Sequence, residues 1–167
     1  MVTSIKGNDT STFGGNIDVP QIVTDAPAFK AHKTSDQSVS SSTWTKVTFD
    51  TEQFDTNSNY DTSLSRFTPT IEGYYLINTQ VRFEGTNHDN RFVSVYKNGS
   101  FDTIVFTDRG LVSSANVTLN GSTIVYCNGS TDYIEIYANV SATSPVFGFS
   151  TAPYNTCVFS GLLVRAV

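Results

Sequence analysis

The stretch GYYLINTQVRFE, residues 73–84, alternates its side chains with a period of two over a dozen positions. That pattern over that length is a β-strand, because successive strand residues point to opposite faces. One face carries Tyr75, Ile77, Thr79, Val81 and Phe83, and the other Tyr74, Leu76, Asn78, Gln80 and Arg82. The first is a core face. The second is half apolar, whereas a sheet face left to water reads as cleanly polar. The same two-sidedness recurs in TDYIEIYANV, where Ile134, Ile136 and Ala138 oppose Tyr133, Glu135 and Tyr137. It recurs near the C-terminus, where Val158, Leu162 and Val164 oppose Phe159, Leu163 and Arg165. Scattered exposed aromatics are common, but a second apolar face repeated over several strands favours subunit packing. The candidates for such an interface are Tyr74, Leu76, Tyr133, Tyr137, Phe159 and Leu163.

The remaining chain reads the same way. Strands are predicted over 28–33, 43–50, 74–84, 91–97, 103–107, 115–119, 122–127, 132–140 and 157–166, with a short piece near 65–68. Turn residues fall every eight to twelve positions, the signature of a sandwich or barrel. No amphipathic helix is predicted. Asn-x-Ser/Thr occurs at Asn8, Asn98, Asn116, Asn120, Asn128 and Asn139, and three of these are the triplet NGS at 98, 120 and 128. Asn-Gly between β-rich runs is a turn signal, since both residues tolerate positive φ. The three triplets are therefore read as turns rather than as glycosylation sites.

The 167 residues amount to about one domain. Residues 1–26 are set apart as an extended arm, closed by Pro20 and by Ala26-Pro27, and residues 27–167 form the all-β domain. The arm is polar, with Ile5, Phe13, Ile17, Val19 and Ile22 as its few apolar anchors. It lacks the apolar core of a signal peptide, so synthesis in a cytosol, or export by some other means, is expected. No run of eighteen apolar residues marks a membrane span. A net charge of −5 without a Lys/Arg cluster excludes nucleic acid as a partner, because phosphate contacts need a basic footprint. Cys127 and Cys157 are too few for a disulfide scaffold and are expected as buried free thiols.

A catalytic constellation is not legible. His32 and His88 have no metal-ligand spacing, and His88-Asp89 is read as a loop tip. The stretch DTEQFDTNSNYD places Asp50, Glu52, Asp55 and Asp61 where hard oxygen ligands could hold calcium. It lacks the glycine-centred spacing of an EF-hand loop, so a solvated loop is the favoured reading and no cofactor is expected.

Several ordered pieces then carry a family resemblance: PAFKAHK at 27–33, TKVTFDTEQFDTNSNYDTSLSRFTPTIEGYYLINTQVRF at 45–83, NGSTDYIEIYA at 128–138 and FSGLLVRA at 159–166. Together they resemble the complement C1q-like globular domain of the C1q and tumour necrosis factor superfamily. Ala28, Phe29 and Ala31 match its opening strand. Phe67, Pro69, Gly73 and Tyr75 match its Phe-Thr-x-Pro-x-x-Gly-x-Tyr stretch, with a one-residue shift at the proline. Gly129 and Asp132 stand for its Gly-Asp pair with a two-residue insertion, and Phe159, Ser160, Gly161 and Leu162 match its closing motif. Gly161 is expected to allow a close backbone approach in a packed strand.

The resemblance implies a jelly-roll β-sandwich of about ten strands, a homotrimer about a three-fold axis, and termini that lie together at its base. The chain lacks the collagen-like repeat of animal relatives, and the phrasing of residues 44–78 resembles C1q-like modules of bacteriophage structural proteins. It thus implies a virion protein without enzymatic activity. One expected role is a trimeric capsid decoration or cement protein, with the arm docking on the major capsid protein or another virion protein. The alternative is the receptor-binding tip of a tail fibre or spike, recognising a host-surface glycan or protein. A polysaccharide-cleaving enzyme is the third and least favoured reading.

Overall fold

The computed structural model describes residues 26–113, 116–149 and 155–167. The anchors Ile5, Phe13, Ile17, Val19 and Ile22 lie outside the described residues. Thirteen strands and no helix occur among those described. In chain order they are β1 (Ala28–His32), β2 (Gln37–Ser38), β3 (Thr45–Lys46), β4 (Thr51–Asp55), β5 (Tyr60–Asp61), β6 (Arg66–Phe67), β7 (Glu72–Thr86), β8 (His88–Lys97), β9 (Ser100–Val112), β10 (Val117–Asn128), β11 (Ile134–Val140), β12 (Thr143–Gly148) and β13 (Val158–Ala166).

All pairings are antiparallel, and they make two sheets. In the first, β7 is the spine: β10 lies along one edge of it, while β13 and β12 share the other, and β13 leads on to β1 and β4. In the second sheet the order is β5, β6, β11, β8, β9, with β3 also on β11. The sheets stack face to face as a sandwich. Phe29 of β1 shows how they meet: its ring stacks on Phe67 of the second sheet at 4.3 Å and on Tyr60 at 5.0 Å, and Phe159 of β13 meets it edge-on at 4.8 Å. Tyr75, Ile77, Val81 and Phe83 from β7 and Ile134, Ile136 and Ala138 from β11 complete the interior, as their alternation predicted.

Two of the three Asn-Gly turns form. Asn98 and Gly99 both adopt positive φ, 55° and 73°, in the hairpin between β8 and β9. Gly129, at φ 69°, turns the chain after β10. Asp132 ties these turns together by accepting hydrogen bonds from the Asn98 side chain at 2.7 Å and the Asn128 amide at 3.0 Å, with the Lys97 ammonium at 2.8 Å.

The third triplet is not a turn. Asn120-Gly121 sits inside β10, opposite Gln80 and Thr79, so the two strands predicted at 115–119 and 122–127 are one. Gly121 is needed for a different reason: a Cβ there would lie 2.5 Å from the carbonyl oxygen of Val105 on β9. The sheet edges close on one another at this point, and the backbone approach excludes a side chain. A Cβ at Gly161 would likewise meet the Phe29 ring at 2.9 Å, so that close approach holds. The predicted loop tip at His88 is also corrected. His88 opens β8 opposite Val112 and is fully buried, the turn being made by Gly85 and Asn87.

Replacing Gly121 by Ala is expected to destabilise the domain by about 1–3 kcal/mol in urea denaturation, the usual cost of overpacking. Gly110→Ala, where a Cβ meets nothing within 4 Å, is the control that leaves the midpoint unchanged. The hydrogen bond from Asn98, and then Lys97, hold the Asp132 carboxyl below its ordinary value. The stability this lends is fully present above an unfolded carboxylate pKa of about 3.9 and is lost as pH falls through the lower folded value. Asp132→Asn is therefore expected to lower the melting temperature at neutral pH and to flatten its fall on acidification, both read by thermal melts across pH.

Candidate functional site

The outward face of the first sheet is built by side chains of even number on β7, β10, β13 and β1, and register places them in rows. Tyr126 pairs with Tyr74, which pairs with Arg165 across a bulge beside Val164. In the next row Ile124, Leu76, Leu162 and Ala28 stand side by side across four strands. Tyr74, Ile124, Tyr126, Leu162 and Val164 are each more than a third exposed. These two rows make a continuous apolar patch at the end of the sheet where the chain enters β1. Leu163 donates its amide to the Pro27 carbonyl there, and Val167 donates to the Glu72 carbonyl, so the start of the domain and its C-terminus lie together at this base. The Tyr126 hydroxyl donates to Glu72 Oε1 at 2.5 Å, which pushes its pKa up and fixes the ring beside Tyr74.

Of the six interface candidates, Tyr74 and Leu76 fall on this patch. Phe159 and Leu163 do not: both are buried, Phe159 completely, against Phe29 and its neighbours. The outward residues of β13 are Leu162 and Val164, because Gly161 shares the inward parity of Phe159 and lets that side close on the core. Tyr137 on β11 and Tyr133 just before it lie on the opposite side of the sandwich, and the chain covers them itself. Tyr137 stacks on Tyr96 at 3.9 Å. Trp44 lies over Tyr96 and Phe92 at 6.4 and 6.0 Å, and Arg66 sits 4.3 Å above the Tyr133 ring. Glu135, 5% exposed, is held beneath by Lys46 at 3.1 Å.

A second apolar surface lies on β9, the edge strand of the second sheet. Phe101, Ile104, Phe106 and Leu111 are 55%, 44%, 36% and 74% exposed. Sequence reasoning missed this edge, as it missed Ile124 and Tyr126. The apolar residues of FDTIVF stand in the sequence, but that their strand pairs on one side only is set by the fold.

The four carboxylates considered for calcium are not brought into one ligand set. Asp50 accepts from the Thr34 amide and hydroxyl at 3.0 and 2.8 Å. Asp55 accepts from the amides of Asn57 and Tyr60 at 3.2 and 2.7 Å. Asp61 accepts from the Ser63 hydroxyl at 2.6 Å, which together with the Leu64 amide lowers its pKa, and Glu52 is exposed. No group of three or more metal-ligating side chains occurs among the described residues. Cys127 and Cys157 are free and buried, and burial pushes their thiols up to about 12 and about 11, so both are poor nucleophiles.

Two antiparallel sheets with this strand order define the jelly-roll class of β-sandwich. The C1q domain profile matches residues 28–164, and the chain belongs to the C1q domain family. Solved structures agree on the fold. The globular domain of zebrafish complement 1qA aligns with a TM-score of 0.58 at 16% identity, covering 85% of this chain and 99% of that one. Eiger TNF from S. frugiperda aligns with a TM-score of 0.62 at 8% identity, covering 85% and 93%, and murine APRIL at pH 5.0 with 0.56 at 14%, covering 83% and 99%. No curated protein matches the sequence.

Because Asp55 and Asp61 already accept from backbone amides of their own turns and Asp50 from the Thr34 amide, calcium or EDTA is expected to leave the melting temperature unchanged. A calcium-dependent rise in a thermal melt, lost in Asp55→Asn, would be the contrary result.

Proposed function

We propose that the protein is a homotrimeric structural component of a virion, a capsid decoration or cement protein whose N-terminal segments fasten a C1q-like head to the shell. The observation that carries the trimer is the pair of unlike apolar surfaces. A face (Tyr74, Leu76, Ile124, Tyr126, Leu162, Val164) and an edge (Phe101, Ile104, Phe106) on one protomer suit a head-to-tail contact, in which each copy seats its edge on the next copy's face. Such a heterologous contact closes into a ring when its rotation divides a full turn. Three copies are what the family resemblance implies.

The attachment follows from the base. The chain enters β1 next to its own C-terminus and beside the apolar patch, so the three N-terminal segments leave the trimer on one side around one axis. Twenty-five of the residues before the domain, fully extended, reach roughly 80 Å at about 3.3 Å each. Their anchors Ile5, Phe13, Ile17, Val19 and Ile22 suit docking on a protein surface, where strand addition to an exposed edge supplies main-chain hydrogen bonds. This design fits a local three-fold position of a shell.

Light scattering is expected to give the mass of three chains at micromolar concentration, and Leu76→Asp together with Ile124→Asp to give a folded monomer. Deleting residues 2–26 is expected to keep the trimer and abolish its retention on capsids. A truncated trimer that still adheres to host cells or competes with adsorption would instead establish the receptor-binding tip, and a wild-type monomer would overturn the trimer.

A further inference from the structure

The outward face of the first sheet changes character one row beyond the apolar patch. The row after Ile124, Leu76 and Leu162 is Ser122, Asn78, Ser160 and Lys30, and the row after that brings Asn120 beside Gln80. These two rows, with Asn155, line a concavity of about 530 Å³. Among the described residues, the side chains of Lys30, Asn78, Asn120, Ser122, Asn155 and Ser160 are spent on no hydrogen bond or ion pair. Gln80 differs, since its amide donates to the Thr156 carbonyl at 3.2 Å.

We infer that this concavity is a binding site for an acidic sugar, a pyranose that carries a carboxylate or a sulfate. The wall contains one cation, Lys30, and no Asp or Glu, in a chain that has fifteen acidic residues against ten basic ones. An unpaired ammonium in such a wall selects an anion. The other groups are carboxamides and hydroxyls, which donate and accept together and so match vicinal sugar hydroxyls. An inorganic anion alone would satisfy Lys30 and leave the amides to water, whereas the concavity has room for a ring. Five of the six groups stand on paired strands, so the site is held by the sheet rather than by loops. Apolar protein surface cannot fill these rows, because burying so many polar groups without partners costs more than the contact returns.

The site rests on the trimer reading only for its stoichiometry. The proposed trimer has three concavities, one from each copy, and in a monomer the same site exists singly.

Saturation-transfer difference NMR with sodium glucuronate as the probe is expected to show transfer to the sugar ring protons, and calorimetry to show affinity at least about tenfold above that for glucose, since a charge-assisted contact is lost in the neutral sugar. Lys30→Gln is expected to remove that preference. Asn78→Asp, which introduces a like charge beside the anion, is expected to abolish binding while the thermal melt stays that of the native protein. Equal binding of glucose and glucuronate, or binding unchanged in both variants, would overturn the inference, as would sulfate ion displacing glucuronate with equal affinity, which would reduce the site to a bare charge. Light scattering on the same samples separates the two readings: a monomer that binds glucuronate refutes the trimer alone, and a trimer that does not bind it refutes the site alone.

Discussion

Strand β7 must satisfy two surfaces at once, and the rest of the molecule follows from how it does so. Its inward residues Tyr75, Ile77, Val81 and Phe83 hold the sandwich core, and three other strands hydrogen-bond along its edges. Its outward residues are not a solvent face. Tyr74 and Leu76 continue into Ile124 and Tyr126 on one side and Leu162 and Val164 on the other, which makes the sheet apolar on both sides at its base. The second sheet has the same problem and solves it within the chain, by laying Trp44 over Phe92 and Tyr96 and stacking Tyr96 on Tyr137. The first sheet has no such cover among the described residues, and this asymmetry is what points to other copies of the chain.

Magnitude and coverage together decide what form that contact takes. Fully burying a large apolar side chain returns about 1.5–3 kcal/mol, and the patch residues are already about half covered, so each returns nearer 1 kcal/mol. Five or six of them return roughly 5 kcal/mol, at the low end of the 4–15 kcal/mol that association costs in lost freedom. A two-fold contact of face with face would bury two such patches and return roughly 10 kcal/mol, within the same range, but it would leave the β9 edge uncovered. Adding the β9 edge, with Phe101 and Ile104 about half exposed, supplies further apolar surface and covers a strand edge that would otherwise invite uncontrolled pairing. A contact of face with edge uses both surfaces, and a two-fold contact of face with face uses one.

The sandwich was legible in the sequence because alternation reports sidedness directly, as at 74–83 and 134–138. Alternation does not say which side is inward when both are apolar, and that is why Phe159 and Leu163 were placed outward while Leu162 and Val164 took the core. The deciding residue was present: Gly161 signals a close approach, and residues two apart share a face, so Gly161 places Phe159 and Leu163 inside. The turn expected at Asn120-Gly121 failed for a related reason. Glycine marks either positive φ or the absence of room for a Cβ, and only the fold, which sets Val105 against Gly121, distinguishes the two. The edge surface on β9 and the pocket around Lys30 were not legible, because each depends on which strands are neighbours across the sheet.

The division of one sheet face into apolar and polar rows has a consequence for the proposed assembly. Apolar rows alone would tolerate a neighbour sliding along the strands, since dispersion and burial are indifferent to small shifts. A slide of one strand pair would bring a neighbour's Phe101 or Ile104 over Asn78, Ser122 and Lys30, and these groups would lose water without gaining a partner, at about 1–3 kcal/mol each. The polar rows thus fix the register that the apolar rows drive, and the same desolvation cost keeps the concavity open. The proposed association and the proposed ligand binding would in this way be two results of one boundary, the step from Leu76 to Asn78 on β7.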